Sequence, residues 1–193
     1  MNPIEASFRE AHSCLDEFMA DELHYPRVQL FADKLAATFK GGGKAMSCGN
    51  GGSMSDAMHF AEEWSGRYRD ERPPLPAIAF SDPGHMSCVA NDYGYDEVFA
   101  RQVQALGKEG DLLLMLSTSG NSPNLIRAAE EARKAGVATV GLLGKGGGAL
   151  LPLCDLPIIV PGKTSDRIQE LHIKIIHIVI ETVERALFPE LYS

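Results

Sequence analysis

Leu112-Leu113-Leu114-Met115-Leu116-Ser117-Thr118-Ser119-Gly120-Asn121-Ser122-Pro123 decides the fold. The apolar run offers no polar face, as expected of a strand buried on both sides in a parallel sheet. It passes abruptly into hydroxyl side chains, a glycine and a proline. Ser122 has the chemistry of an N-cap and Pro123 that of a first helical position, because proline lacks an N–H that the first turn leaves unbonded anyway. A phosphate in this loop would meet backbone N–H groups and the positive end of a helix dipole, with hydroxyl donors around it and no lysine needed. An ordinary capped turn has a related composition. Ser117, Thr118, Ser119 and Ser122, however, put four hydroxyls into six residues at a strand's carboxyl end, which favours an anion site.

Outward from this stretch, short apolar runs alternate with helical segments. Ala45 to Cys48, Ala77 to Phe80, Thr139 to Leu143 and Leu156 to Val160 join Leu112 to Leu116 as five buried strands. The alternation predicts an α/β domain with a parallel sheet covered by helices on both faces. In residues 1–40, Ile4, Phe8, Leu15 and Met19, then Val28, Phe31, Leu35 and Phe39, recur at helical spacing and predict an added amino-terminal pair of helices. The last helix is predicted from about Ser165 to Leu187. It is apolar around most of its circumference, through Ile173, Ile175, Ile176, Ile178, Val179 and Ile180, which implies burial on several sides and a face for another subunit.

With 193 residues, 45% of them hydrophobic, the chain suits one domain spanning 1–193. A formal charge of −8 and the lack of a basic patch argue against nucleic acid as a partner. No run is long enough for a bilayer, and the acidic start, with Glu5, Glu10, Asp16 and Glu17, is unlike a secretory leader, so a cytoplasmic location is expected. Cys14, Cys48, Cys88 and Cys154 lack CxxC spacing and read as packing residues of a reducing compartment.

In an open parallel sheet, ligands sit beyond the carboxyl ends of the strands. The loop after the first strand, Gly49-Asn50-Gly51-Gly52-Ser53, lets backbone approach a ligand closely. It is neither a P-loop, which ends in Gly-Lys-Ser/Thr, nor a dinucleotide fingerprint, whose third glycine is replaced by Met54. The cluster of Gly144, Gly146, Gly147 and Gly148 reads as a mobile turn. On the helix after the first loop, Asp56, His59 and Glu63 are spaced so that His59 and Glu63 stack on one face. The last helix adds Asp166, Gln169 and His177 broadly on one side, with His172 on a neighbouring line. Taken singly, each reads more readily as a helix cap, a hydrated surface group or a partner at a packed interface. Together, an imidazole pair, a carboxylate and an amide oxygen suit zinc or a similar divalent ion.

These motifs resemble the phosphoheptose isomerases of the sugar-isomerase (SIS) domain group. The resemblance runs from Ser47 to Ile178. It rests on Ser-Cys-Gly-Asn-Gly-Gly-Ser from Ser47, Asp-Ala-Met-His-Phe-Ala-Glu-Glu from Asp56, Gly-Arg-Tyr-Arg from Gly66, Ser-Thr-Ser-Gly-Asn-Ser from Ser117, and Asp-Arg-Ile-Gln-Glu-Leu-His-Ile-Lys-Ile-Ile-His from Asp166. Met54-Ser55 and Lys163-Thr164 depart from the family pattern. The resemblance implies a doubly wound five-stranded sheet in flavodoxin-like order and a homotetramer. It also implies conversion of sedoheptulose 7-phosphate to D-glycero-D-manno-heptose 7-phosphate for bacterial surface polysaccharide. By the same pattern, zinc would be held by His59, Glu63, Gln169 and His177, with Glu63 and His177 catalytic. Asn50, Gly51, Gly52, Glu63, Asn91, Asp92 and Gln169 would contact the sugar. Ser53, Ser117, Thr118, Ser119 and Ser122 would hold its phosphate, and Asp166 matches a further site position. A non-catalytic relative that binds the replication initiator resembles the same sheet and loops but lacks an equivalent acid and histidine, whereas this chain has Glu63 and His177. A sugar-phosphate-sensing regulator would carry a DNA-reading segment, and none is visible.

Overall fold

The strands β1 (Ala45–Gly49) and β3 (Leu112–Ser117) are buried at every position and pair in parallel, Ala45 opposite Leu112 and Gly49 opposite Leu116. They are the centre of a sheet in the order β2-β1-β3-β4-β5, where β2 is Ala77–Ala79, β4 is Ala138–Leu143 and β5 is Leu156–Ile159. All four pairings are parallel. All five expected strands are present within a residue or two of their expected bounds. Phe80 and Val160, expected as strand ends, lie just outside, although their N–H groups still donate to Ser47 and Leu143.

In this computed structural model, which describes residues 2–192, helices cover both faces. They are α1 (Pro3–Ala20), α2 (His24–Lys40), α3 (Gly52–Ser65), α4 (Pro83–Tyr93), α5 (Ala100–Leu106), α6 (Pro123–Lys134) and α7 (Ser165–Leu187). Period-two side-chain alternation divides β3 between two cores. Leu112, Leu114 and Leu116 pack with α2, α3 and α7, while Leu113 and Met115 pack with α4, α5 and α6. The first core holds Phe31, Phe60 and Trp64, each fully buried. Burying a side chain of this kind contributes roughly 1.5–3 kcal/mol. These contacts fix α3 against the sheet.

The amino-terminal pair departs from expectation at its start. In α2, Phe31, Leu35 and Phe39 are buried, but Phe18 is the buried residue of α1, and Phe8 remains 74% exposed. The burial of α7 on several sides is likewise incomplete within one chain. Ile175, Ile176, Val179 and Ile180 are buried, whereas Ile178 is 48% exposed beside a groove lined by Leu15, Met19 and Val28. His172 belongs to the core, and burial pushes its pKa down to about 4, against a smaller opposing pull from the Leu143 backbone.

Two further expectations are corrected. Cys48 is buried and Cys14 and Cys154 are half-buried, but Cys88 lies exposed on α4; all four are free thiols. The glycine cluster after β4 is a brace. A Cβ on Gly120 (φ +65°) would come within 1.9 Å of the Gly147 carbonyl, so at this point the serine loop and the glycine turn meet backbone to backbone. Leu150 N–H donates to the Gly120 carbonyl at 2.9 Å, and Ala149 N–H donates to Asn121 Oδ1 at 2.9 Å. No helix among the described residues is long and apolar enough to cross a membrane.

Candidate active site

The strand order reverses direction at β1 and β3, so the loops leaving these strands diverge and open a crevice at the sheet's carboxyl edge. One wall is the turn into α3. Gly51 (φ +57°) makes the bend, and Gly52 begins the helix directly beneath α7. A Cβ on Gly52 would stand 2.7 Å from the Gln169 amide, so glycine permits this contact. Gln169 also approaches Ser53, with Nε2 at 3.4 Å from Oγ.

The other wall is the serine loop. Its hydroxyls are not equivalent. Ser117 is buried, and its Oγ accepts the Gly120 N–H at 3.0 Å. Ser119 Oγ accepts from the Asn121 N–H at 3.2 Å, and Thr118 pairs with Ser165 Oγ at 3.1 Å. Ser122 is the N-cap of α6 with Pro123 following, as expected, yet its side chain makes no cap hydrogen bond. Its hydroxyl therefore remains available at the positive end of the helix.

Asn124, which the sequence reading passed over, ties the two walls together. It is buried in the first turn of α6, and its amide exchanges two hydrogen bonds with that of Asn50, each 2.9 Å. Tyr95 adds a hydroxyl donor to Asn50 Oδ1 at 3.3 Å. The polar residue after Ser-Pro at a strand's carboxyl end was the available signal. Asn91 and Asp92 lie in the exposed last turn of α4, bonded to each other at 2.7 Å rather than to either loop. Asp166 opens α7 on the solvent side. A hydrogen bond from Thr164, then one from Arg167, lowers its pKa to about 2.

Beyond the loops, α3 and α7 bring together His59, Glu63 and His177. One ligand atom from each lies within 4.8 Å of the other two. Glu63 Oε1 is 3.1 Å from His59 Nε2, and His177 Nε2 is 3.4 Å from the same nitrogen. The imidazoles meet edge-on, ring centroids 5.0 Å apart, and Tyr68 tilts over His177 at 5.9 Å. Burial raises the pKa of Glu63 against the hydrogen bond from His59. Burial also lowers that of His177, with the neighbouring charges of His59 and Lys174 acting in the same sense. Asp56, one turn before His59, is pushed up to about 6 by burial, opposed by His59, and one of its oxygens is buried without a hydrogen-bond partner. Gln169 stands two turns before His177 on α7, its amide against Gly52 and Ser53.

Two imidazole nitrogens and a carboxylate oxygen facing one another at these distances can share a proton or a divalent cation, and the donor set suits zinc. Phosphoheptose isomerase from Fusobacterium nucleatum is 53% identical over 192 residues, an alignment covering 100% of this chain and 98% of the relative. The chain belongs to the phosphoheptose isomerase family. The model of the SIS domain matches residues 8–144, which includes both loops and α3 but stops before α7. The alignment with the isomerase relative extends across α7, the helix that carries His177. Two solved phosphoheptose isomerases have the same fold. That from Francisella tularensis superposes with a TM-score of 0.90 at 35% identity, and that from Neisseria gonorrhoeae with 0.87 at 37%. Each comparison covers 94% of this chain and 96% of the other.

Proposed function

We propose that this chain is an aldose–ketose isomerase that converts sedoheptulose 7-phosphate to D-glycero-D-manno-heptose 7-phosphate. One observation carries the proposal. An acid and an imidazole more than a hundred residues apart converge on two helices that both begin at the carboxyl edge of the sheet, where the hydroxyls of the serine loop and a helix N-terminus suit a phosphate.

The phosphate is held by Ser53, Ser117, Thr118, Ser119 and Ser122, so that the carbonyl end of the sugar reaches the cluster. Asn50, Gly51, Gly52 and Gln169 contact the sugar between these ends, with Asn91, Asp92 and Asp166 at its margin. Glu63 removes a proton from C1 of the ketose. Desolvation makes its carboxylate more basic than an exposed one, closer to what a general base requires near neutral pH. His177, biased toward the neutral form, moves the proton between the two oxygens. Return of the proton to C2 gives the aldose with no net gain or loss of atoms. His59, Glu63 and His177 would hold a zinc ion, which when bound would polarise the carbonyl and stabilise the enediolate charge, whereas Gln169, expected in the same ligand set, stands about 12 Å along α7 from His177 with its amide against Gly52 and Ser53.

A cytoplasmic homotetramer supplying heptose for surface polysaccharide completes the proposal. Exposed apolar side chains on α1 and α7, Ile4, Phe8 and Ile178, support assembly, since each gains from removal from water. The test is a coupled assay of the zinc-loaded protein on heptulose, hexulose and pentulose phosphates. The account expects sedoheptulose 7-phosphate to have the highest kcat/KM, and preference for a shorter sugar would reject the assignment.

A further inference from the structure

An α-helix ends with carbonyl groups that have no partner within the helix. At the end of α3 these carbonyls belong to the segment that carries Glu63, and one side chain collects them. Arg72, in the connection from α3 to β2, donates from Nη2 to the carbonyl of Glu63 and from Nη1 to those of Trp64 at 2.8 Å and Gly66 at 3.2 Å. Its guanidinium also lies over the Trp64 ring, 5.8 Å from the centroid. The remaining donor, Nε, meets Glu184 Oε1 of α7 at 2.7 Å, and both side chains are 1% exposed. Glu184 lies two turns beyond His177 on the same helix face, and its second oxygen accepts the Tyr192 hydroxyl at 2.7 Å.

A buried ion pair is weak evidence for a role in stability, because apolar groups of similar volume often replace it without loss. The position of this one says more. It joins the helix holding His59 and Glu63 to the helix holding His177, and one of the carbonyls it grips is that of Glu63 itself. Only a planar fork with several donors can do this; a lysine ammonium is a point charge.

We infer that Arg72 is a positioning residue of the active site, which sets the separation between Glu63 and His177 by clamping the end of α3 to Glu184 of α7. The inference rests on the proposed isomerase reading for its kinetic consequences, and on geometry alone for the clamp.

The test is the double variant Arg72→Met/Glu184→Leu, which removes both charges together and leaves no ion buried alone. Circular dichroism and thermal unfolding establish that it is folded. The expected result is a shift of the His59–His177 and Glu63–His59 distances in its crystal structure, with the dissociation constant for zinc, measured by chelator competition, weakened about tenfold. kcat should fall by a similar factor, while KM stays within about twofold because the serine loop is untouched. Arg72→Lys, which retains the charge opposite Glu184 but not the fork, should show the same split and serves if the double variant does not fold. Wild-type distances and wild-type zinc affinity in a folded variant would overturn the inference. Failure of the wild-type protein to turn over sedoheptulose 7-phosphate would overturn the substrate assignment instead, and the structural comparison would still decide the clamp.

Discussion

His177 Nε2 lies 3.4 Å from His59 Nε2, although the two residues are 118 positions apart in the chain. The contact exists because α3 and α7 pack side by side on one face of the sheet, each held by its own apolar stripe. Glu63, one turn beyond His59, completes the group. Glu63→Gln and His177→Ala should each reduce kcat by about 10²–10⁴-fold, the usual contribution of a positioned acid or base. Thermal unfolding should remain near wild type, since both side chains are only half-buried. Steady-state kinetics beside calorimetry checks this, and unchanged turnover in either variant removes that residue from the mechanism.

The serine loop should affect binding more than chemistry. Ser122 caps α6 without spending its hydroxyl on the helix. Ser122→Ala should therefore raise KM for the sugar phosphate several-fold, corresponding to about 1–1.5 kcal/mol for one hydrogen bond, with a smaller change in kcat. Ser119→Ala should act in the same direction. Inhibition by inorganic phosphate offers a second readout, and should weaken in parallel.

Asn124 gives a different expectation. Its reciprocal amide pair with Asn50 joins the loops after β1 and β3. Asn124→Ala leaves the Asn50 amide without this partner and should cost about 1–3 kcal/mol of stability. Measured by urea denaturation, a loss below about 0.5 kcal/mol would mean that solvent replaces the pair.

Much of this was legible in sequence, for identifiable reasons. A strand covered on both faces has no polar residue to obscure it, so Leu112 to Leu116 and the four shorter runs stood out with bounds correct to a residue or two. The start of α6 was legible because Ser-Pro is a chemical signal for a cap, and α7 because its ends matched the predicted Ser165 and Leu187. What composition could not reveal was how polar groups are shared between distant segments. That Ser117 bonds within its own loop, that Asn124 reaches Asn50, or that Arg72 reaches Glu184 depends on which loops face each other. The cluster of Gly146, Gly147 and Gly148 suggested mobility by composition, but its positive φ angles bring backbone against Gly120. The exposed apolar side chains of α1 follow helical spacing faithfully, yet spacing cannot tell a face covered by the same chain from one that is not.

Acid stability should carry the signature of His172. Its folded pKa is lowered to about 4 by burial, below the 6.5 of the unfolded chain. Between these values the unfolded state binds a proton that the folded state does not, so stability falls as pH falls through the window from about 6.5 to about 4. The full loss is about 3 kcal/mol. Denaturation at pH 7 and pH 4.5 should show that slope in the wild type. In His172→Leu the slope should flatten, and an equal slope in both proteins would assign the acid sensitivity to other groups.

The central claim is that one bound ketose spans the distance from the serine loop to the Glu63–His177 pair. The most direct measurement is a crystal structure of Glu63→Gln with zinc and sedoheptulose 7-phosphate. The account predicts phosphate oxygens within hydrogen-bond distance of Ser119 and Ser122, with C1 and C2 lying beside residue 63 and the imidazole of His177. Phosphate bound among those serines with the carbonyl end directed away from both groups would contradict it.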